Sequence, residues 1–307
     1  MTTRHRIVKY PWHTAHDYEL AKLPHDFFFI AGTSRNWHTD QRPIPPSITW
    51  VPSHDAIESD VMILHVDQWT YHEPAKRFLF LRMRDAYRGP KIVINHGCNM
   101  VDGCSSAQMR ELIGDCHMVA NSKTAHELWA VPSSTYIHHG MSAEEWPATD
   151  YANHNVLHVQ PFSQQHGKCR NVAAIPRAEE RVPVTWVGRD VKFASFTKYR
   201  QFLRSSSIFF HPSYASANPR ARTEAMLTGL AIVTTDSHGE SEYIRNGVNG
   251  FCSNDMDELL DHLEYLYRHP REVRRIGRAG RATAQELFGI NGYIDRWNAL
   301  LARVVGL

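Results

Sequence analysis

Short runs rich in Val, Ile and Phe alternate along this chain with stretches whose apolar positions recur every three or four residues. RIVKY (6–10), DFFFIAG (26–32), ITWVP (48–52), DVMILHV (60–66), PKIVINHG (90–97), HMVANS (117–122) and STYIHHG (134–140) read as strands. Between them fall a short helix around Asp17–Leu23, one through RFLFLRMRDAY and one beginning at KTAHELW. Strands of this composition, separated by helices, predict βαβ units and parallel sheets.

A polar segment without period, Pro147 to Asn155, interrupts the pattern, which then restarts. NVLHVQPF (155–162), VTWVG (184–188), SIFFHPS (207–213) and LAIVTTD (230–236) read as strands, and RARTEAMLTG (220–229) as a helix closed by Gly229. Asp255 and Glu258 have capping-box spacing. The helix they open carries Leu259, Leu260, Leu263, Leu266 and Tyr267 on one face and stops at Pro270. The last helix runs through YIDRWNALLARVV. The expected fold class is α/β with two Rossmann-like domains, residues 1–150 and 151–289, and a closing helix, 290–307, packing back toward the first. Each parallel sheet offers the C-terminal ends of its strands to ligands, and two such edges set face to face would make a cleft.

Composition narrows the class. Of 307 residues, 42% are hydrophobic and 21% charged, a balance that suits a folded chain and not a disordered one. No apolar run approaches the roughly 18 residues of a membrane span, and MTTRHRIVKYPWH has no apolar core of a secretory signal. The 5 cysteines match neither a zinc site nor a disulfide framework, so the chain reads as cytoplasmic with reduced thiols. Charge is uneven: residues 1–150 carry 14 Lys and Arg against 17 Asp and Glu, the remainder 20 against 15. That basic second half suits a small anionic ligand and is too slight to require nucleic acid. Of the 20 histidines, 13 lie in the first 150 residues, where some could line a polar cleft.

The densest pattern is PSYASANPRARTEAMLTGLAIVTTDSHGESEYIRNGVNGF (212–251). Pro212, Ser213, Glu224, Ala225, Met226, Gly229, Thr235, Asp236, Gly239, Glu242, Gly247, Asn249 and Gly250 stand in the order of the donor-binding signature of retaining glycosyltransferases of family four. VANSKTAHEL, YIHHGMSAEEWP and QPFSQQHGKCRNVAAI extend the resemblance over nearly the whole chain, least in the first 60 residues. It implies the GT-B fold and transfer of a sugar from a nucleotide-diphosphate sugar, UDP-linked ahead of GDP-linked, to an acceptor hydroxyl. The implied reaction proceeds with retention, without metal and without a tightly bound cofactor, the leaving phosphate helping to take the acceptor's proton.

The physical reason for such residues is the charge that grows on the diphosphate as the sugar bond breaks. Cations and helix N-termini placed there stabilise the transition state more than the ground state. The resemblance assigns that part to Arg170, with Lys168 beside it. It makes Glu224, opening its helix, the acceptor of the ribose hydroxyls' hydrogen bonds; the plain alternative is an acid favoured by the helix dipole. Ser213, Ala225 and the loop of His238, Gly239 and Glu240, whose amides would face phosphate or sugar, complete the donor side. Arg220 or Arg222 could reach a phosphate or a carboxylate on the sugar.

Two departures stand out. Seven residues before Glu224 the family has an acidic residue that contacts the transferred sugar, and this chain has Ser216. An unusual sugar, a role moved to a neighbour, or lost activity would each account for it, in that order. At the end of the first strand of the second half, the family's basic residue is replaced by Pro161 or Phe162.

The acceptor side rests on fewer residues. PWHTAH (11–16) resembles the acceptor loop without its Gly-Gly, which points to His13 and His16. His96 matches the histidine that touches the transferred sugar. Asp67 and Trp69 follow a strand, and Trp69 either stacks on a sugar or packs in the core. The expected acceptor is a saccharide or lipid-linked glycan, with a hydroxymethylated base in phage-type DNA as an alternative. A non-catalytic nucleotide-sugar binder and, further off, a sugar-nucleotide epimerase are the competing classes. Two basic helices, one with Lys76, Arg77, Arg82, Arg84 and Arg88, the other with Arg271, Arg274, Arg275, Arg278 and Arg281, suggest weak peripheral membrane contact or phosphate tracking. The simpler reading of both is a solvated face.

Overall fold

The computed structural model describes residues 3–33, 36–98, 103–160, 171–216 and 218–306. They form two compact units, Met1–Met141 with Ile290–Leu307, and Ser142–Gly289. The polar stretch 147–155 is hydrogen-bonded onto the second: the Thr149, Asp150 and Asn153 amides donate to the Thr228, Arg204 and Ser205 carbonyls.

The first unit holds β1 (Arg6–Lys9), β2 (Asp26–Ile30), β3 (Ile48–Val51), β4 (Val61–Val66), β5 (Lys91–Asn95), β6 (His117–Ala120) and β7 (Ser134–Tyr136). They make one sheet in the order β3-β2-β1-β4-β5-β6-β7, parallel throughout. Helices α1 (Thr14–Leu20), α2 (Pro74–Ala86), α3 (Ser106–Ile113) and α4 (Lys123–Trp129) connect them. Sequence periodicity misses α3, although Ser105 and Gln108 form a complete capping box ahead of it and Met109, Leu112 and Ile113 are its buried face. Central strand β4 is buried along its whole length, as a two-sided parallel strand must be.

The second unit holds β8 (Val156–Val159), β9 (Val184–Val187), β10 (Ile208–His211), β11 (Ala231–Thr234) and β12 (Phe251–Cys252), in the parallel order β12-β11-β10-β8-β9. Its helices are α5 (Ala174–Glu179), α6 (Phe196–Arg204), α7 (Arg220–Thr228), α8 (Met256–Arg268) and α9 (Pro270–Phe288). Gly229, at φ +90°, caps α7 in the left-handed conformation that glycine adopts most easily. The capping box expected at Asp255 is half formed. The Asp255 carboxylate accepts the Asp257 and Glu258 amides, but the Glu258 carboxylate accepts from the Ser253 hydroxyl at 2.5 Å instead of reaching back. Leu259, Leu260, Leu263 and Leu266 join Val156, Ile208, Phe210 and Val233 in the core.

The closing helix, α10 (Ile290–Val305), lays Tyr293, Trp297, Leu300 and Leu301 into the core of the first unit beside Ile7, Phe27 and Ile92. Removing it would expose those sheet residues to water, at about 25 cal/mol for each Å² of apolar surface.

Candidate functional site

In an open parallel sheet, ligands bind beyond the strand ends where the strand order reverses. In the first unit that point lies between β1 and β4, and in the second between β8 and β10. Each edge is described on its own.

At the first edge, Lys9 ends β1 and is wholly buried, ion-paired to Asp17 of α1, which is wholly buried too. The other Asp17 oxygen accepts the Trp12 backbone N–H at 2.9 Å. Burial, the dominant influence, lowers the pKa of the Lys9 ammonium, and Asp17 works against that shift. His65, inside β4, places its Nε2 3.9 Å from Asp17 and its Nδ1 2.9 Å from Nε2 of His96. His96 directly follows β5, and its amide donates to the Val66 carbonyl at 2.9 Å. The His16 ring meets that of His96 at 4.9 Å and that of His139 at 5.2 Å, both nearly perpendicular. Trp12 stacks on His65 at 5.9 Å, and exposed His13 on His96 at 6.4 Å.

The structure therefore brings together His13, His16 and His96, which the sequence singled out, with His65, His139, Trp12, Asp17 and Lys9, which it did not. Gly97 closes the loop after His96. A Cβ there would stand 1.9 Å from Oε1 and 2.6 Å from the backbone nitrogen of Gln68, so only glycine lets the two strand-end turns lie together. Asp67 serves its own turn, accepting from the Trp69 amide at 3.0 Å and the Thr70 hydroxyl at 2.9 Å, and it pairs with Lys76 at 2.8 Å. Trp69 is half-buried beside it.

At the second edge, Glu224 is buried, and its carboxylate accepts from the Tyr199 hydroxyl at 3.0 Å. It is the fifth residue of α7, not the first, so the helix dipole explains it less well than the sequence suggested. Arg220 is the first, half-buried. Arg222, expected to reach toward a ligand, is instead wholly buried, donating to Glu240 at 2.6 Å and to the Tyr243 hydroxyl at 2.6 Å. Burial opposes the Arg222 charge, but Glu240 and Tyr243 prevail and hold its pKa above the usual arginine value.

The 236–241 loop departs from expectation in the same way. The Gly239 and Glu240 amides donate to Asp236 at 3.0 and 2.8 Å, and the His238 amide to Glu240 at 2.6 Å. Those three N–H groups serve the loop, not a phosphate. Burial would raise the Asp236 carboxyl, but hydrogen bonds from Ser241, Gly239 and Glu240 outweigh it and hold the pKa low. The Ser213 carbonyl accepts from the Thr235 hydroxyl, Ala225 is wholly buried, and the half-buried Ser216 accepts through its carbonyl from Ser237 at 3.4 Å. Lys168 and Arg170, with Pro161 and Phe162, lie outside the described residues.

The two arginine-bearing helices are partly engaged. In α9, Arg275 pairs with Glu272 at 2.6 Å, Arg281 donates to the Trp146 carbonyl at 2.7 Å and Arg274 covers the Tyr151 ring. In α2, Lys76 and Arg84 pair with neighbouring carboxylates while Phe78 stands 66% exposed. At the strand starts of the first unit, a cavity of about 590 Å³ is lined by Lys91, Asp115, His117, Ser134 and Arg303. Among the described residues, no cluster of His, Cys, Asp or Glu is arranged to hold a metal ion, and no helix is long and apolar enough to cross a membrane.

Residues 185–283 match the family model of the glycosyl transferases group 1. A sucrose synthase of Thermosynechococcus vestitus is 35% identical over 104 residues, which are 32% of this chain and 13% of that relative's length. Over 98% of this chain and 100% of its own, Anabaena HepE, solved with UDP and glucose, is similar at a TM-score of 0.74 and 15% identity. Sucrose-phosphate synthase of Thermosynechococcus elongatus is similar over 99% of this chain and 100% of its own, at 0.71 and 12%. The segment 185–283 is thus similar to the group 1 glycosyl transferases, and the two parallel-sheet units share the GT-B fold of these solved structures.

Proposed function

We propose that this protein moves a sugar from a UDP-sugar to an acceptor hydroxyl, with retention and without a metal ion. The observation that carries the reading is Glu224, a buried carboxylate at the strand-end edge of the second unit and inside the matched segment. In that role it accepts the ribose hydroxyls, with Tyr199 fixing its carboxylate. Arg220, at the start of α7, supplies positive charge to the diphosphate together with Lys168 and Arg170. Ser213, Ala225, His238, Gly239 and Glu240 shape the donor pocket, the last three as a loop held rigid by Asp236 and Arg222. UDP is favoured because the structural relatives named above include one solved with UDP.

His13, His16, His96 and Trp69 bind the acceptor and the transferred sugar. Asp67 contributes by holding its turn. A saccharide or lipid-linked glycan is the acceptor. The DNA reading draws on the α9 arginines, several of which already have partners within their own unit. Among the described residues Cys104, Cys116 and Cys252 stand outside any disulfide, which suits a cytoplasmic setting.

Incubation with UDP-glucose and a panel of glycan acceptors tests the reading: UDP release, an axial product linkage by NMR and indifference to EDTA are expected. Ser216 favours one competitor, a UDP-sugar binder without turnover. That protein would bind UDP and release none from UDP-glucose, even to water.

A further inference from the structure

The strand-start edge of the first unit carries a cavity that the proposed reaction does not use. Its volume of about 590 Å³ lies in the range of small-molecule sites, and its lining includes Lys91, Asp115, His117, Ser133 and Arg303. Lys91 opens β5 and His117 opens β6, while Arg303 comes from the last turn of α10. His96 follows the other end of β5, so the 5 residues of that strand, about 16 Å, separate the cavity from the histidine cluster.

Two cations line this cavity without a counter-ion. Among the described residues neither is ion-paired: the Lys91 ammonium donates to the Gly89 carbonyl at 3.3 Å, and Arg303 uses Nη2, which donates to the Thr135 hydroxyl at 2.7 Å and to His117 Nε2 at 3.3 Å. Surface arginines of the second unit, such as Arg177, Arg181, Arg268 and Arg275, each hold a carboxylate instead. The dipole of α10 favours a cation in its last turn, but it does not account for Lys91 in the same cavity. Arginine only donates, so Nε2 of His117 accepts and the ring proton sits on Nδ1, 3.1 Å from the Ser133 hydroxyl oxygen. Ser133 thus accepts from His117 and keeps its own hydrogen to donate. Burial, with Arg303 and His126 adding to it, holds the His117 pKa at about 4, so near pH 7 the imidazole is neutral. The lining then carries Lys91 and Arg303 against Asp115, an excess of positive charge.

That chemistry suits a doubly charged anion. Lys91 and Arg303 match the charge of a phosphate monoester near pH 7, and with Ser133 they offer the several donors that its free oxygens accept. A bare phosphate would leave most of the cavity empty. The rest of the lining fits a hydroxylated body: the Asp115 carboxylate accepts from hydroxyl groups, and Pro90, Pro132 and Val304 meet C–H faces. We propose that this cavity is a second ligand site, that it takes a phosphorylated sugar, and that Lys91, Arg303 and Ser133 bind the phosphate. None of these residues serves the donor or acceptor roles given above, so the site stands or falls apart from the transferase reading. Because Arg303 belongs to α10 and Lys91 to β5, the bound phosphate ties the closing helix to the strand starts.

Calorimetric titration of the full chain with glucose 6-phosphate, glucose 1-phosphate, inorganic phosphate and glucuronate tests the site. At least one sugar phosphate should bind about tenfold more tightly than inorganic phosphate or glucuronate. Arg303→Met and Lys91→Met, both at partly exposed positions, should each weaken that binding by about tenfold to a hundredfold and leave the affinity for UDP unchanged. The imidazole of His117 locates the ligand. The charged and titratable groups around it are Arg303 from α10, His126 from α4, Lys91 from β5 and Asp115 ahead of β6. An anion bound on Arg303 offsets the cations and favours the imidazolium, so the NMR titration midpoint of His117 should rise from about 4 when the sugar phosphate saturates the chain. Binding of neither sugar phosphate to the native chain overturns the proposal. So does binding that Glu224→Ala abolishes and Arg303→Met does not, which would move the ligand to the second unit, or binding that leaves the His117 midpoint where it was. Inorganic phosphate bound as tightly as the sugar phosphates overturns the sugar, and glucuronate bound as tightly overturns the phosphate.

Discussion

The two strand-end edges use polar side chains in opposite ways. In the second unit the charged side chains are tied down within the unit to make a rigid wall: buried Arg222 to buried Glu240, half-buried Asp236 to the amides of Gly239 and Glu240 and the Ser241 hydroxyl, and buried Glu224 to the Tyr199 hydroxyl. In the first unit one buried ion pair leads outward through imidazoles, groups that change protonation near neutral pH. A wall of fixed charge suits a ligand whose charge does not vary, such as a diphosphate. A row of imidazoles suits a partner that gives up a proton. On the proposed function, the first edge would serve the acceptor and the second the donor.

Breaking the wall should have the largest effect. Arg222→Met leaves Glu240 buried without its partner and should cost the second unit about 3–5 kcal/mol, read by urea denaturation. Glu224→Ala should leave the fold intact and weaken UDP binding by about tenfold to a hundredfold, equivalent to about 1.5–3 kcal/mol, read by calorimetry. An unchanged affinity would remove Glu224 from the donor side.

The first unit should instead show itself through pH. His117, where Arg303 meets β6, is pushed down to about 4 by burial, with Arg303 and His126 adding to the effect. The unfolded chain takes up that proton near 6.5, so the contribution of His117 to stability is complete above that pH and is lost as pH falls toward 4. A melting curve should show this loss in the native chain and a smaller one in His117→Asn. The smallest effect belongs to Asp255→Ala, which removes the α8 cap and should cost about 1 kcal/mol in the second unit alone.

The sequence carried the fold because parallel strands announce themselves. VMILHV and SIFFHPS are apolar on both faces, and only a sheet covered on both sides accepts that. The local structure of the second unit's edge was legible wherever its residues lie close in the chain, as Glu224 and Gly229 on one helix do. Its pairings were not: Arg222 and Glu240 stand 18 residues apart, and nothing local distinguishes a tethered arginine from one free to meet phosphate. The histidine cluster at the first unit's edge was half legible. His13, His16 and His96 sit at predicted strand ends, whereas His65 lies inside an apolar strand, where a histidine reads as core. Lys9 and Asp17 look like surface charges until β1 and α1 are folded together. The missed α3 had its signals in Ser105, Gln108 and Gly114, but its eight residues carry only three buried apolar positions.

The central claim is that the second unit holds a UDP-sugar against Glu224. Calorimetric titration of UDP into the native chain and into Glu224→Ala tests it most directly. Saturable binding to one site per chain, weakened at least tenfold by the substitution, is the result the account predicts. No heat with UDP, GDP or any other nucleoside diphosphate in the native chain would contradict it.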